Sequence, residues 1–223
     1  MFSNIVRGSV ILGLMALLLS PSNAIAQSYF PATGIFNGFL NQRVISECEN
    51  TNATAVNITM TVTDSAGSVL ATHAYSISGS GSAHVILNDI ANITDKIGVY
   101  TLSIPASQIL LGDSVNCRTS FYRAAPPGSV KAFDYAYVLP VENPKVGELS
   151  GIYNSIDPSN EGNVTSNWLS IINRSTSTFN GSVEVRGADG ALVDTVSVSG
   201  LAPFARTDVP LGHPTGQVTG VYT

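Results

Sequence analysis

Cys48 and Cys117 carry the most definite chemistry in this chain. Two thiols bound for an oxidising compartment pair by default, so a Cys48–Cys117 disulfide is expected, with two free buried thiols as the alternative. Closing so long a loop would stabilise the fold by roughly 4 kcal/mol at most in the chain-entropy model. Glu47 and Glu49 flank Cys48, but glycoside hydrolysis needs two carboxylates facing each other across a cleft, not two on one strand. His73, His84 and His213 are scattered, whereas zinc sites use clustered His and Cys ligands at short spacing. Asp157-Pro158-Ser159-Asn160-Glu161-Gly162-Asn163 brings oxygen ligands close together. Calcium loops place acids at alternate positions and add a distal Glu, so a solvated surface loop is the expectation here. Asn88, Asp89, Asp95 and Asp113 would hold calcium only if the fold drew them together. Serines abound without a Gly-x-Ser-x-Gly elbow, and Gly79-Ser80-Gly81-Ser82 reads as a flexible tract. The chain is therefore expected to be no enzyme, with no catalytic residue, no metal site and no cofactor.

Two further residue classes could bind. Trp168, Tyr29, Phe30, Tyr122, Tyr135 and Tyr137 could form a platform that stacks on sugars; core packing is the competing reading, and it is preferred for Trp168. Asn-x-Ser/Thr triplets begin at Asn52, Asn57, Asn92, Asn163, Asn173 and Asn180. They would accept glycans in a eukaryotic secreted protein, although a chain rich in Asn, Ser and Thr produces them by composition alone.

The elements that must position these groups are short strands. Ile58, Met60 and Val62 alternate with Thr59, Thr61 and Thr63, the period-two pattern of a half-buried strand. Asp64-Ser65-Ala66-Gly67 supplies turn chemistry. Val69 to Ile77 alternates again, with Val69, Ala71, His73, Tyr75 and Ile77 on one face. Gly34 to Leu40, Val44 to Cys48, Val85 to Leu87, Val99 to Ile104, Cys117 to Arg123 and Ala132 to Leu139 read as further strands. The last two form a hairpin about Pro126-Pro127-Gly128, in which Phe121, Phe133, Tyr135 and Tyr137 supply apolar area. Ser107 to Leu111 suits one helical turn. Regular short strands with turn signals between them predict an all-β fold, an antiparallel β-sandwich.

The chain also repeats itself. Gly34-Ile35-Phe36-Asn37 recurs as Gly151-Ile152-Tyr153-Asn154, and Gly98-Val99-Tyr100-Thr101 recurs as Gly220-Val221-Tyr222-Thr223. Between these anchors Asn50, Asn57, Val62 and Gly67 match Asn173, Asn180, Val185 and Gly190. Cys48 aligns with Ile171, Ile45 with Trp168, and His84 falls near Arg206. A repeat this long suits one whole β domain per copy. The expected organisation is a signal peptide at 1–26, copy one at 29–142, a linker at 143–150 and copy two at 151–223. Copy two stops before the part matching the aromatic hairpin. Either the array is longer, or another segment supplies those strands. Copy two would run Trp168 to Ile172, Ser182 to Arg186, Leu192 to Val198, Arg206 to Val209 and Gln217 to Tyr222.

Arg7, the apolar run Val10 to Leu19 and Ala24-Ile25-Ala26 have the order of a cleaved secretory signal. The run is about half of the ~20 residues that a membrane span needs. A secreted, extracellular-surface or periplasmic location follows. Charged residues make up only 11% of the chain, and the net charge of −5 gives no electrostatic footing for nucleic acid. An extracellular protein or a polysaccharide is the expected partner class, and the incomplete copy two offers a surface for self-association.

In these anchors, and in Pro140 and Pro144 between the copies, the chain resembles bacterial secreted or surface proteins built of tandem immunoglobulin-like or fibronectin-like β-sandwich repeats. The resemblance is one of layout. It implies a structural or adhesive repeat protein without catalysis and carries over no site residue. A carbohydrate-binding module and a strand-accepting assembly subunit are the other two expectations.

Overall fold

The computed structural model describes residues 30–143, 149–155, 167–211 and 219–223. The signal-peptide region, Tyr29, the segment from Pro144 to Glu148, the loop Asp157 to Asn163, His213 and Gln217 lie outside them. In chain order the strands are β1 (Ala32–Asn37), β2 (Arg43–Asn50), β3 (Val56–Asp64), β4 (Val69–Ile77), β5 (Ser82–Ile86), β6 (Ile97–Ser103), β7 (Val115–Ala124) and β8 (Phe133–Pro140) in the N-terminal half. The C-terminal half holds β9 (Gly151–Asn154), β10 (Asn167–Ile172), β11 (Phe179–Gly187), β12 (Leu192–Leu201), β13 (Arg206–Leu211) and β14 (Thr219–Tyr222). Helical structure is confined to α1 (Leu87–Ile90) and two 3-10 segments, Phe39–Asn41 and Ala106–Ser114. The protein is all-β, and all its sheets are antiparallel.

Period two decides what each strand buries. On β3, Val56, Ile58, Met60 and Val62 are buried; on β2, Val44, Ser46, Cys48 and Asn50 are. The sheets β1-β6-β3-β4 and β5-β2-β7-β8 contribute to one apolar cluster around Phe36, Met60, Leu87, Tyr100 and Phe121. The Tyr100 hydroxyl meets Thr119 Oγ1 at 2.7 Å, tying β6 to β7 across that cluster. Cys48 and Cys117 face each other on β2 and β7 and are disulfide-bonded, so the bridge joins neighbouring strands of one sheet. The C-terminal half has a separate, smaller cluster containing Tyr153, Val183, Val185, Val198, Val209 and Leu211.

The strand orders coincide. β12-β11-β14-β9 is the order β4-β3-β6-β1 with each number raised by eight, and β10-β13 matches β2-β5 in the same way. Among the described residues β7 and β8 have no counterpart. The repeated anchors turn out to be paired strands. Gly34 sits opposite Tyr100 and Phe36 opposite Gly98; Gly151 sits opposite Tyr222 and Tyr153 opposite Gly220. Each glycine leaves room for the ring across from it. A Cβ on Gly34 would lie 2.3 Å from Tyr100, and one on Gly151 2.4 Å from Tyr222. Covering an edge glycine with a cross-strand ring is a recognised sheet-stabilising device. It explains why the repeat persists as Gly-x-aromatic.

A second shared device is a buried asparagine. Asn50 Nδ2 donates to the carbonyls of Thr54, Ile77 and Ser78, and its Oδ1 accepts from Asn52 N. Asn173 Nδ2 donates to Ser177, Leu201 and Ala202, and its Oδ1 accepts from Ser175 N. Each side chain thereby ties two loops together, in each case through one fully buried bond, to Ile77 O and to Leu201 O.

Three expectations change. Val69 is exposed while Leu70 packs on the core, because a bulge at the Val62/Thr63 step shifts the register there. Leu87 begins α1 instead of ending β5. The turn is fixed by Asn88, whose side chain accepts from Val44 N and donates to Gln42 O. Trp168 is 54% exposed. Its match to Ile45 stands, but odd-numbered residues of β2 face away from the core, so the shared position is an outward one.

Candidate functional site at the contact between the halves

β13 starts with Arg206, and Asp208 follows two residues later on the same face. That face points away from the C-terminal cluster, yet Arg206 is only 7% exposed. The N-terminal half covers it. Arg206 Nη1 donates to Phe36 O at 2.8 Å and to Gly98 O at 3.0 Å, the carbonyls of one opposed pair on β1 and β6. Its Nε and Nη2 grip both Asp208 oxygens at 2.8 and 3.0 Å, and Nη2 also donates to Ser170 Oγ at 3.1 Å. All five guanidinium N–H bonds thus have acceptors. Its backbone N donates to Ser65 O at 3.0 Å, in the β3–β4 turn. A buried guanidinium is tolerated when paired and fully hydrogen-bonded, and the forked carboxylate contact fixes its direction.

Two more contacts border it. Arg174 Nη1 donates to Thr101 Oγ1 on β6, and its guanidinium lies over the Phe204 ring at 5.6 Å. Burial draws the Arg174 pKa below the usual arginine value. Gly67, at φ +89°, packs so close to the β12–β13 turn that a Cβ there would lie 2.5 Å from Pro203 O. Val99 on β6 is 0% exposed although it faces outward from the N-terminal cluster, beside Thr101. This arrangement joins two folded units in one orientation.

The residues singled out in the sequence fall elsewhere. Glu47 accepts from Arg118 Nε at 2.7 Å and Ser120 Oγ at 2.6 Å, and lies 3.6 Å from His84 Nδ1. Burial pushes its carboxyl pKa up, but the Ser120 and Arg118 hydrogen bonds outweigh that and hold it below its ordinary value. His73 stacks on Tyr75. Asp89 pairs with Arg43 at 3.3 Å. Among the described residues no three His, Cys, Asp or Glu side chains gather as a metal site. Asn173 is buried with its amide committed to three carbonyls, so a glycan there would have to break those bonds.

The six-ring platform does not assemble as one surface. Phe30 is buried in the N-terminal cluster and Trp168 belongs to the other half. The β7–β8 rings form two groups on opposite faces: Tyr122 with Phe133, centroids 5.6 Å apart, and Tyr135 with Tyr137, 6.1 Å apart, where Tyr137 also stacks on the buried Phe121 at 4.5 Å.

Arg206 was missed from the sequence. By register Ser82 is its counterpart and His84 corresponds to Asp208, two residues from the alignment first drawn. The available signal was an Arg-x-Asp pair opening an otherwise uncharged strand.

The chain was compared with protein-family models, with curated proteins and with solved structures, and no match was found in any of the three. No helix among the described residues is long and apolar enough to cross a membrane.

Proposed function

We propose that the two halves are consecutive copies of one sandwich module, and that the protein is a secreted or cell-surface structural or adhesive repeat protein without catalysis. The observation that carries this is Arg206. A buried, fully bonded arginine spanning two separate cores sets the distance and angle between modules, which is what a spacer requires. The signal-like N-terminus, the shared strand order and the Gly–aromatic pairs support the same reading. The test is surface attachment by the source organism. A strain lacking this protein should attach less, and the wild-type chain should restore it. Unchanged attachment rejects the adhesive role.

A carbohydrate-binding role is the second reading, favoured by the rings on β7 and β8. Tyr135 and Tyr137 share one face of the edge strand β8, opposite Arg123 and Phe121, and Tyr137 is 40% exposed. Flat rings on one face suit stacking on sugar rings. Affinity electrophoresis against a polysaccharide panel tests it: retardation lost on Tyr135→Ala would favour it, and none at all would end it.

A further inference from the structure

The surface that receives Arg206 occurs a second time, and none of the described residues supplies an arginine to it. On β9 and β14, Tyr153 and Gly220 form the opposed pair that Phe36 and Gly98 form on β1 and β6. Thr223 stands where Thr101 receives Arg174, and Ala188 in the β11–β12 turn stands where Ser65 receives the Arg206 amide. The exposures differ sharply. Val99 is 0% exposed beneath the C-terminal half, while its counterpart Val221 is 39% exposed and the neighbouring Ile152 is 84% exposed. Among the described residues no arginine reaches the Tyr153 and Gly220 carbonyls. At the place of Thr63 the second face has Arg186, whose charge is met by Glu184 at 2.6 Å.

We propose that this β9–β14 face docks a further module of the same fold, one that presents an Arg-x-Asp pair at the start of an outward strand face, as Arg206 and Asp208 do. The inference rests on reading the halves as copies of a module. The chemistry of the occupant follows from the contact already made: a guanidinium for the two carbonyls, a carboxylate to hold it flat, and apolar surface for Ile152 and Val221. The N-terminal half of a second molecule does not fit, since Ser82 and His84 occupy those positions. Such a contact is heterologous, with different surfaces meeting, so it continues from module to module and is not the self-complementary contact of a two-fold dimer.

The test places the photo-cross-linker p-benzoylphenylalanine at position 152 of the full chain, produced in the source organism. Irradiation should give an adduct whose partner peptide contains an Arg-x-Asp strand start, lost when Val221→Asp is added. The same label at position 130, an exposed site in the N-terminal half, should give no such adduct. An adduct with a peptide lacking that pair, with lipid or polysaccharide only, or no adduct at all overturns the proposal. Overturning it while the deletion strain still attaches poorly leaves the adhesive reading standing, so the two failures are distinguishable.

Discussion

In the N-terminal half, Glu47 and His84 face each other on the outward side of β2 and β5; in the C-terminal half, Ser170 and Asp208 hold the equivalent places on β10 and β13. The first pair forms a surface cluster with Arg118, in which His84 and Arg118 reach solvent. The second forms the pocket that holds Arg206 against the other half. The scaffold is the same, and the difference is what covers it. Exposed ion pairs contribute about 0–1 kcal/mol, whereas removing one partner of a buried pair costs about 3–5 kcal/mol. One position in the shared strand order can therefore be nearly silent in one half and decisive in the other.

Arg206→Ala should have the largest effect. It strands Asp208 and two carbonyls and uncouples the halves, lowering C-terminal stability by about 3–5 kcal/mol. Trp168, the chain's single tryptophan, reports that half by fluorescence. X-ray scattering should show a broadened distance distribution, and an unchanged profile would remove the rigid joint. His84→Ala, in the other half, should barely move either transition.

Removing the disulfide by Cys48→Ala with Cys117→Ala should affect only the N-terminal half, by roughly 4 kcal/mol at most. Ile171 holds the Cys48 position in the other half, so the Trp168 transition should stay in place in a denaturant titration. Asn50→Ala and Asn173→Ala should do equal damage to opposite halves, about 2 kcal/mol each, because each leaves one buried carbonyl, Ile77 O or Leu201 O, unsatisfied and unties two loops. Unequal losses would show that the two asparagines do different jobs.

The smallest effect is acid sensitivity. The folded pKa of Glu47 lies below its ordinary 4.5, so its contribution is full above that value and fades as pH falls through the folded one. Glu47→Gln should flatten the stability of the N-terminal half in this window. The C-terminal half has Ser170 there and should not respond to the substitution, as circular dichroism and Trp168 fluorescence together would show.

Much of the fold was legible because period-two burial writes itself into composition. Ile58 to Val62 could be placed from alternation alone, and so could Ala71 to Ile77, whereas the bulge that turns Val69 outward left no mark in the alternation. The repeat was legible because a glycine and the ring opposite it must be kept together. Trp168 was not, because an outward position beside a covered surface takes apolar residues just as a core position does. The joint was not, because a lone Arg-x-Asp looks like solvated surface until a second folded unit is laid over it. Only three-dimensional placement brings Phe36, Gly98 and Arg206 together across 170 residues of chain.

The Cys48–Cys117 bridge also governs how the chain responds to pulling. A load applied at the two ends of the N-terminal half enters through β1 and leaves after β8, and both lie outside the covalent loop. The cysteines are 69 residues apart. At roughly 3.5 Å per extended residue, about 240 Å of chain cannot be drawn out while the bond is intact. The C-terminal half has no such bond among its described residues. Under tension with the bond intact, the N-terminal half gives a short tether, and reduction lengthens its reach roughly two- to threefold.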